Sequence, residues 1–163
     1  MTDFSDSFFR GLRFRRFHSQ DRIPPLRPDA FIPPGFNKGV PESEHLETSI
    51  VWNENSSVLD FYINTERLRP NSGNIVGGVV EISYSKALTD LENNHFLEHV
   101  SFNDDPDLEN KNPYHGNIRF DKEYFYGEMP DGSLGPLKTL MKQTCECFCR
   151  AEINFYPPEN DLI

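Results

Sequence analysis

The stretch GLRFRRFHSQDRIPP at residues 11–25 concentrates the polar chemistry of this chain. Side chains alternate between the two faces of an extended strand, so a strand over residues 12–19 would place Leu12, Phe14, Arg16 and His18 on one face. That face begins apolar and ends cationic. We therefore expect residues 12–18 to form a strand that carries Arg16 and His18 to the edge of a sheet. There the two side chains would serve either a binding cleft or a structural role, with Arg16 paired to a carboxylate and His18 capping a loop.

The bulk composition indicates a folded protein of one domain. The chain has 163 residues, of which 36% are hydrophobic and 13% aromatic, and disordered chains are poor in aromatic rings. No apolar run approaches the ~20 residues of a membrane span, and the first residues lack the basic and then apolar build of a signal peptide. Three cysteines within residues 145–149 would leave an odd thiol under any intramolecular pairing. These features together predict a cytoplasmic protein.

Charge is distributed unevenly along the chain, whose formal net charge is −10. Residues 1–36 hold six arginines against four aspartates, a charge of +2, whereas residues 37–163 hold ten basic and 22 acidic residues, a charge of −12. The first part is therefore expected to dock onto the acidic remainder. Such acidity argues against a long nucleic acid as ligand and favours a basic protein partner, although it would also serve solubility alone.

Hydrophobic periodicity predicts a mixture of helices and strands. A short amphipathic helix is expected over residues 4–12. Strands are expected at residues 45–52, 74–84, 96–102, 114–120 and 153–158. Helices are expected between a cap at Ser56 or Ser57 and Pro70, and over 85–93 and 136–152, and a strand followed by a turn at 123–135. The fold class is thus a single α+β domain over residues 1–163, with a mixed or largely antiparallel sheet packed against the C-terminal helix. Residues 159–163 are expected to be a frayed tail.

Residues 23–41 are rich in proline, which excludes helix interiors and central strands. We expect a loop whose apolar residues Ile23, Leu26, Phe31, Ile32 and Phe36 lie over the core as a lid; the alternative is a plain surface connection.

The pair Gly77-Gly78 lacks the sequence of a phosphate-binding loop, and a close backbone approach or a bulge explains it better.

Cys145, Cys147 and Cys149 form the run CECFC on the predicted C-terminal helix. Zinc sites usually combine two pairs of ligands, and no second pair is present in the sequence. We therefore expect core or surface thiols, with no bound metal and no cofactor.

Five polar residues on predicted strands or their ends are the candidates for a catalytic site. Imidazoles act as general acid and base, and a guanidinium stabilises phosphate charge. The set is Arg16, His18, His45, Ser49 and His115.

Several short segments resemble a family of small bacterial proteins of uncharacterised function. The segments are LRFRRFHSQD, RPDAFIPP, LETSIVW, VVEISYSKALTDLE and NDDPDLENKNPYHGNIRF, within residues 11–120. The resemblance rests on an Arg-Arg-x-His opening and a later Asn-Pro-x-His element, and it matches Arg15, Arg16 and His18, Ala30 and Phe31, Ser49 and Ile50, and Asn112, Pro113 and His115. The resemblance implies no activity, but it points to the same polar residues.

Two functions are compatible with these features. The first is a small acidic interaction or regulatory protein of a bacterial conflict system, such as toxin-antitoxin or antiviral defence, that binds a basic protein. The second is a metal-independent phosphoryl-transfer or nucleotide-processing enzyme, ribonuclease-like, in which His18 and His115 act with Arg16. The sequence leaves the oligomeric state open.

Overall fold

A computed structural model describes residues 6–34, 36, 46–68, 75–107, 112–126 and 135–158. Its six strands form one antiparallel sheet in the order β4-β5-β2-β1-β3-β6. The strands are β1 (Ser7–Gly11), β2 (Leu46–Trp52), β3 (Val79–Ser83), β4 (Val100–Asp104), β5 (His115–Phe120) and β6 (Glu152–Tyr156). The predicted α+β fold with a largely antiparallel sheet is confirmed.

The described residues include four α-helices that accompany the sheet, namely α1 (Val58–Leu68), α2 (Tyr84–Asn93), α3 (Lys122–Tyr126) and α4 (Gly135–Cys149). The start of α2 is fixed by Ser83, whose hydroxyl accepts a hydrogen bond from the Lys86 backbone amide. This is the capping arrangement expected of serine, because it satisfies a donor that has no partner within the helix. None of the helices in the described ranges is long and apolar enough to cross a bilayer.

Side chains of the central strand β1 alternate between two separate hydrophobic clusters. Phe8 belongs to the larger cluster, with Trp52 and Ile82 on the sheet and residues of α2, α3 and α4 packed over it. Phe9 belongs to the smaller cluster, which includes Val58 and Tyr62 of α1. The sheet is therefore covered on one face by α1 and on the other by the remaining helices, and the predicted packing of the C-terminal helix against the sheet is confirmed.

The amino-terminal segment differs from the sequence prediction. The expected helix over residues 4–12 is wrong in its described part, because Ser7–Gly11 forms the strand β1. The expected strand over residues 12–18 is also wrong, because a 3-10 helix forms at Arg15–Phe17. A central strand buried on both faces carries consecutive apolar residues, and that pattern conceals the alternation by which strands are recognised.

A close backbone contact ends β1. The amide of Leu12 donates to the carbonyl of Gly78 at 2.8 Å, and the amide of Gly77 donates to the carbonyl of Leu12 at 2.7 Å. A side chain at Gly77 would collide with the carbonyl of Phe14, and Gly78 has a φ of 95°. The glycine pair thus serves the predicted close approach, and the expected strand begins only at Val79.

The proline-rich segment lies over the larger cluster, as predicted. Leu26, Phe31 and Phe36 are buried, and the ring of Phe31 lies 5.2 Å from that of Phe148 on α4. The hydroxyl of Thr48 on β2 donates to the Phe31 carbonyl at 2.6 Å, which ties the segment to the sheet. Ile23 is the exception within the expected apolar set, since it is fully exposed. The described part of the segment, residues 23–34 and 36, belongs to the core packing and is more than a plain surface connection.

Two further elements are corrected. Residues 122–126 form the helix α3, where a strand was expected, because Phe125 fills the core against Phe120 with ring centroids 5.5 Å apart. A 3-10 helix at Leu97–His99 replaces the first half of the strand predicted at residues 96–102. The turn predicted near residues 130–132 and the tail at 159–163 lie outside the described residues.

The three thiols of α4 lie in the core. Cys145, Cys147 and Cys149 are all buried and free. Burial raises the pKa of each, that of Cys147 to about 12, since an anionic thiolate is poorly solvated in the protein interior. Of the two alternatives expected from the sequence, core or surface thiols, the structure shows core thiols.

Candidate functional site

The structure brings two of the five predicted site residues to one cavity and places two elsewhere. Ser49 and His115 line a cavity of about 340 Å³ between β1 and β2. Arg16 and His18 lie in and beside the 3-10 helix at Arg15–Phe17, away from this cavity. His45 lies outside the described residues.

The cavity exists because β1 and β2 separate. They share only the pairs Phe8 with Trp52 and Phe9 with Val51, after which β1 continues along β3 and β2 continues along β5. The side chain of Arg10 occupies the gap: its Nε donates to the Ala30 carbonyl and its Nη1 to the Ser49 carbonyl, both at 2.9 Å. The lining residues are Arg10, Gly11, Arg13, Pro34, Ser49, Ile50, Val51, Tyr62, Asp107, Asn112 and His115.

Arg10 brings a positive charge into the protein interior. Burial lowers the pKa of its guanidinium, but arginine remains protonated in proteins under physiological conditions. Its two described acceptors are backbone carbonyls, and no carboxylate in the described part of the chain forms an ion pair with it. Three of its five N–H bonds therefore have no acceptor among the described residues. A buried cation without a counter-charge gains free energy from an anion that reaches it.

The imidazole of His115 is held in one orientation. Its Nδ1 lies 2.7 Å from the backbone carbonyl of Asp105 and 3.8 Å from the carboxylate of the same residue. Asn117 donates to that carboxylate at 2.9 Å and fixes it in turn. A carbonyl can only accept, so Nδ1 carries a proton and Nε2 of the neutral ring is the acceptor.

Ser49 and His115 project from the same face of neighbouring strands. In the register of β2 and β5, Ser49 lies opposite Asn117 and Val51 lies opposite His115, so Ser49 and His115 are diagonal neighbours. Ser49 is exposed, and its hydroxyl has no hydrogen-bond partner among the described residues. The cavity therefore presents a hydroxyl, an imidazole and two guanidinium groups, with Asp107 as the carboxylate among its lining residues.

His18 packs against β6 at the edge of the sheet, where its contacts are structural. Its ring stacks on Phe155 with centroids 3.7 Å apart, and its Nε2 lies 2.9 Å from the Glu152 carboxylate. Burial lowers the pKa of His18 and raises that of Glu152 to about 7, because both charged forms lose solvation there. The strands β5 and β6 are four positions apart in the sheet, about 19 Å at about 4.8 Å per strand. His18 and His115 therefore do not form the two-histidine site considered from the sequence.

Arg16 is exposed and packs on aromatic rings. Its guanidinium lies 4.4 Å from the ring centre of Phe14 and 5.6 Å from that of Phe17. Arg22 and Arg10 likewise donate to backbone carbonyls. Among the described residues, no carboxylate pairs with these three arginines, so the expected docking through carboxylates is not found there. The segment is attached chiefly by its buried apolar residues.

A second, more open cavity of about 320 Å³ lies along α2 and includes Arg150. There the charge is already matched, since Nε of Arg150 lies 2.6 Å from the Asp90 carboxylate. The Arg10 cavity is therefore the stronger candidate for binding an anion.

Sequence reasoning missed Arg10 and Arg13. The signal for Arg10 is a lone cation within the apolar run SFFRGL, which is unusual in a strand buried on both faces. Recognising it required β1 to be placed at residues 7–11.

Comparisons of the chain with protein-family models, with curated proteins and with solved structures find no match.

Proposed function

We propose that the protein binds a small phosphorylated ligand in the cavity between β1 and β2. The observation that carries this proposal is the buried guanidinium of Arg10, which has no carboxylate partner among the described residues. Planar guanidinium groups bind phosphate through paired hydrogen bonds.

The other lining groups favour phosphate over a carboxylate as the ligand. Arg13 adds a second positive charge at the cavity, and the Ser49 hydroxyl can donate a further hydrogen bond. A phosphate offers three or more acceptor oxygens to such a set, whereas a carboxylate offers two. A volume of about 340 Å³ lies within the size range of small-molecule pockets.

Calorimetric titration with inorganic phosphate, 5′-AMP and acetate tests this proposal. We expect the wild-type protein to bind the two phosphates and not acetate. The variant Arg10→Met should weaken binding at least tenfold, which corresponds to the loss of one charge-assisted hydrogen bond of about 1.5–3 kcal/mol. Arg13→Gln changes an exposed side chain at the same cavity, so it tests binding without disturbing the fold.

The matched control is Arg27→Met, which removes an exposed arginine of the same amino-terminal segment that does not line the cavity. It should bind as the wild type does. Failure of the wild type to bind either phosphate, or wild-type affinity in both Arg10→Met and Arg13→Gln, would overturn the proposal.

A second candidate function is recognition of a basic protein by the acidic part of the chain, as in a regulator of a bacterial defence system. Its support is the charge of −12 over residues 37–163, together with an open cavity of about 440 Å³ at the end of α2, whose lining includes Glu92 and Glu98. Opposite charges at an interface chiefly speed and select association.

Affinity capture from the source cell at low and at high salt tests this second function. We expect a basic protein to be recovered at low salt, to be lost at high salt, and to be lost with the double variant Glu92→Lys, Glu98→Lys. Recovery of no basic protein at low salt would contradict the idea.

A further inference from the structure

The geometry points to His115 as a general base that hydrolyses a small phosphodiester, such as a nucleoside cyclic phosphate, in the Arg10 cavity. This inference rests on the proposed binding of a phosphorylated ligand there. It adds a reaction and a substrate class to that function.

The orientation of His115 is the first support. Nδ1 donates to the Asp105 carbonyl at 2.7 Å, and the backbone of Asp105 is itself tied to β5, since its amide donates to the His115 carbonyl at 2.9 Å. The ring thus lines the cavity in a fixed tautomer with Nε2 as proton acceptor. A general base must be held in this way within reach of the proton it removes.

The described partners of His115 are the second support. Both of its contacts are with Asp105, through the carbonyl and through the carboxylate at 3.8 Å, and Nε2 has no partner within the described ranges. For His99, by comparison, a carboxylate oxygen lies near each ring nitrogen, from Glu98 at 3.4 Å and from Asp121 at 3.7 Å. The accessible Nε2 is therefore available to a ligand or to water.

The charges of the cavity supply the third support. When water attacks the phosphorus of a diester, negative charge grows on the non-bridging oxygens, and the cationic residues Arg10 and Arg13, which both line the cavity, can stabilise it. A diester is favoured over a monoester, because monoester transfer is loose and gains little from deprotonation of the attacking water.

The reaction balances with water as the only co-reactant. His115 Nε2 takes a proton from water as the water oxygen forms a bond to phosphorus. The phosphorus–oxygen bond of the ester breaks, and the leaving oxygen keeps the electron pair and takes a proton from solvent. The imidazolium then returns its proton to solvent, and nothing is oxidised or reduced.

Hydrolysis of 2′,3′-cyclic AMP, followed by chromatography and phosphorus NMR, is the test. We expect conversion to a monophosphate by the wild type and a loss of at least 10²-fold in kcat for His115→Gln, in line with the usual contribution of a general base. Because the glutamine amide can still donate to the Asp105 carbonyl, the affinity for 5′-AMP should change less than about threefold. His99→Gln is the matched control, because His99 stacks on Tyr124 and does not line the cavity, and it should retain wild-type turnover.

The outcomes separate the two claims. Binding of 5′-AMP without any turnover of 2′,3′-cyclic AMP, 3′,5′-cyclic AMP or bis(p-nitrophenyl) phosphate would overturn the catalytic role and leave the binding function standing. Turnover that persists in His115→Gln would also overturn it. Absence of binding by the wild type would overturn the proposed function itself.

Discussion

Glu81 shows how a buried carboxylate is stabilised by hydrogen bonds, since all of its partners among the described residues are uncharged. It lies on β3 and accepts hydrogen bonds from Ser7 at 2.6 Å, Asn154 at 2.9 Å, Asn53 at 3.0 Å and Tyr156 at 3.1 Å. Burial raises its pKa, but these four bonds to the charged form outweigh burial, and the pKa lies below its ordinary value. The network joins β1, β3, β6 and the residue after β2.

We predict that Glu81→Gln destabilises the protein by about 1–3 kcal/mol at neutral pH, because an amide nitrogen replaces an acceptor oxygen among four donors. A carboxylate with a lowered pKa contributes stability above its unfolded pKa, near 4.5, and loses it as the pH falls through the folded pKa. The difference between wild type and variant should therefore shrink below pH 4.5. Urea unfolding at several pH values measures it, with the exposed Glu92→Gln as control; a difference independent of pH would contradict this explanation.

At the same scale, the sequence indicated Ser49 and His115 as candidate site residues on strands, but it could not show that they lie close together or which charged residue joins them. Arg16 and Arg10 are equally cationic in the sequence, and only the point where β1 and β2 separate decides that Arg10 enters the cavity. Convergence of side chains from distant parts of a chain is a tertiary property.

At the scale of elements, prediction succeeded where periodicity was undisturbed. The helices α2 and α4 and the strands β2 and β5 were found near their observed bounds. It failed for β1 and α3, whose short, aromatic-rich sequences fit either state. Their conformation is decided by burial on both faces of the sheet for β1 and by the packing of Phe125 for α3.

Helix α4 carries a prediction about reactivity. Its three thiols are buried with raised pKa values, so none should be labelled by Ellman's reagent in the native protein at pH 8, whereas all three should react in urea. Thiolate is the reacting form, and both its low population and its inaccessibility oppose labelling. Rapid labelling of any thiol in the folded protein would show that α4 is less firmly packed than the structure indicates.

At the scale of the whole molecule, a net charge of −10 implies repulsion within the folded state. We predict that raising sodium chloride from 20 to 300 mM increases the melting temperature by about 2–4 °C, the shift expected for about 1 kcal/mol in a chain of this size. Differential scanning calorimetry measures it. The increase should disappear near pH 4.9, where the chain is close to neutral; the same increase at both pH values would point to an effect of salt other than screening.

The strand order has a consequence for biosynthesis. Of the six strands, β1 and β2 are translated first and lie at the centre of the sheet. Strand β3 then pairs with β1, and the β4-β5 hairpin pairs with β2 through β5. Strand β6 is translated last and forms the edge beside β3. None of these later strands has to insert between two strands that are already paired. The sheet can therefore extend towards both edges during translation, without breaking strand pairs that have already formed.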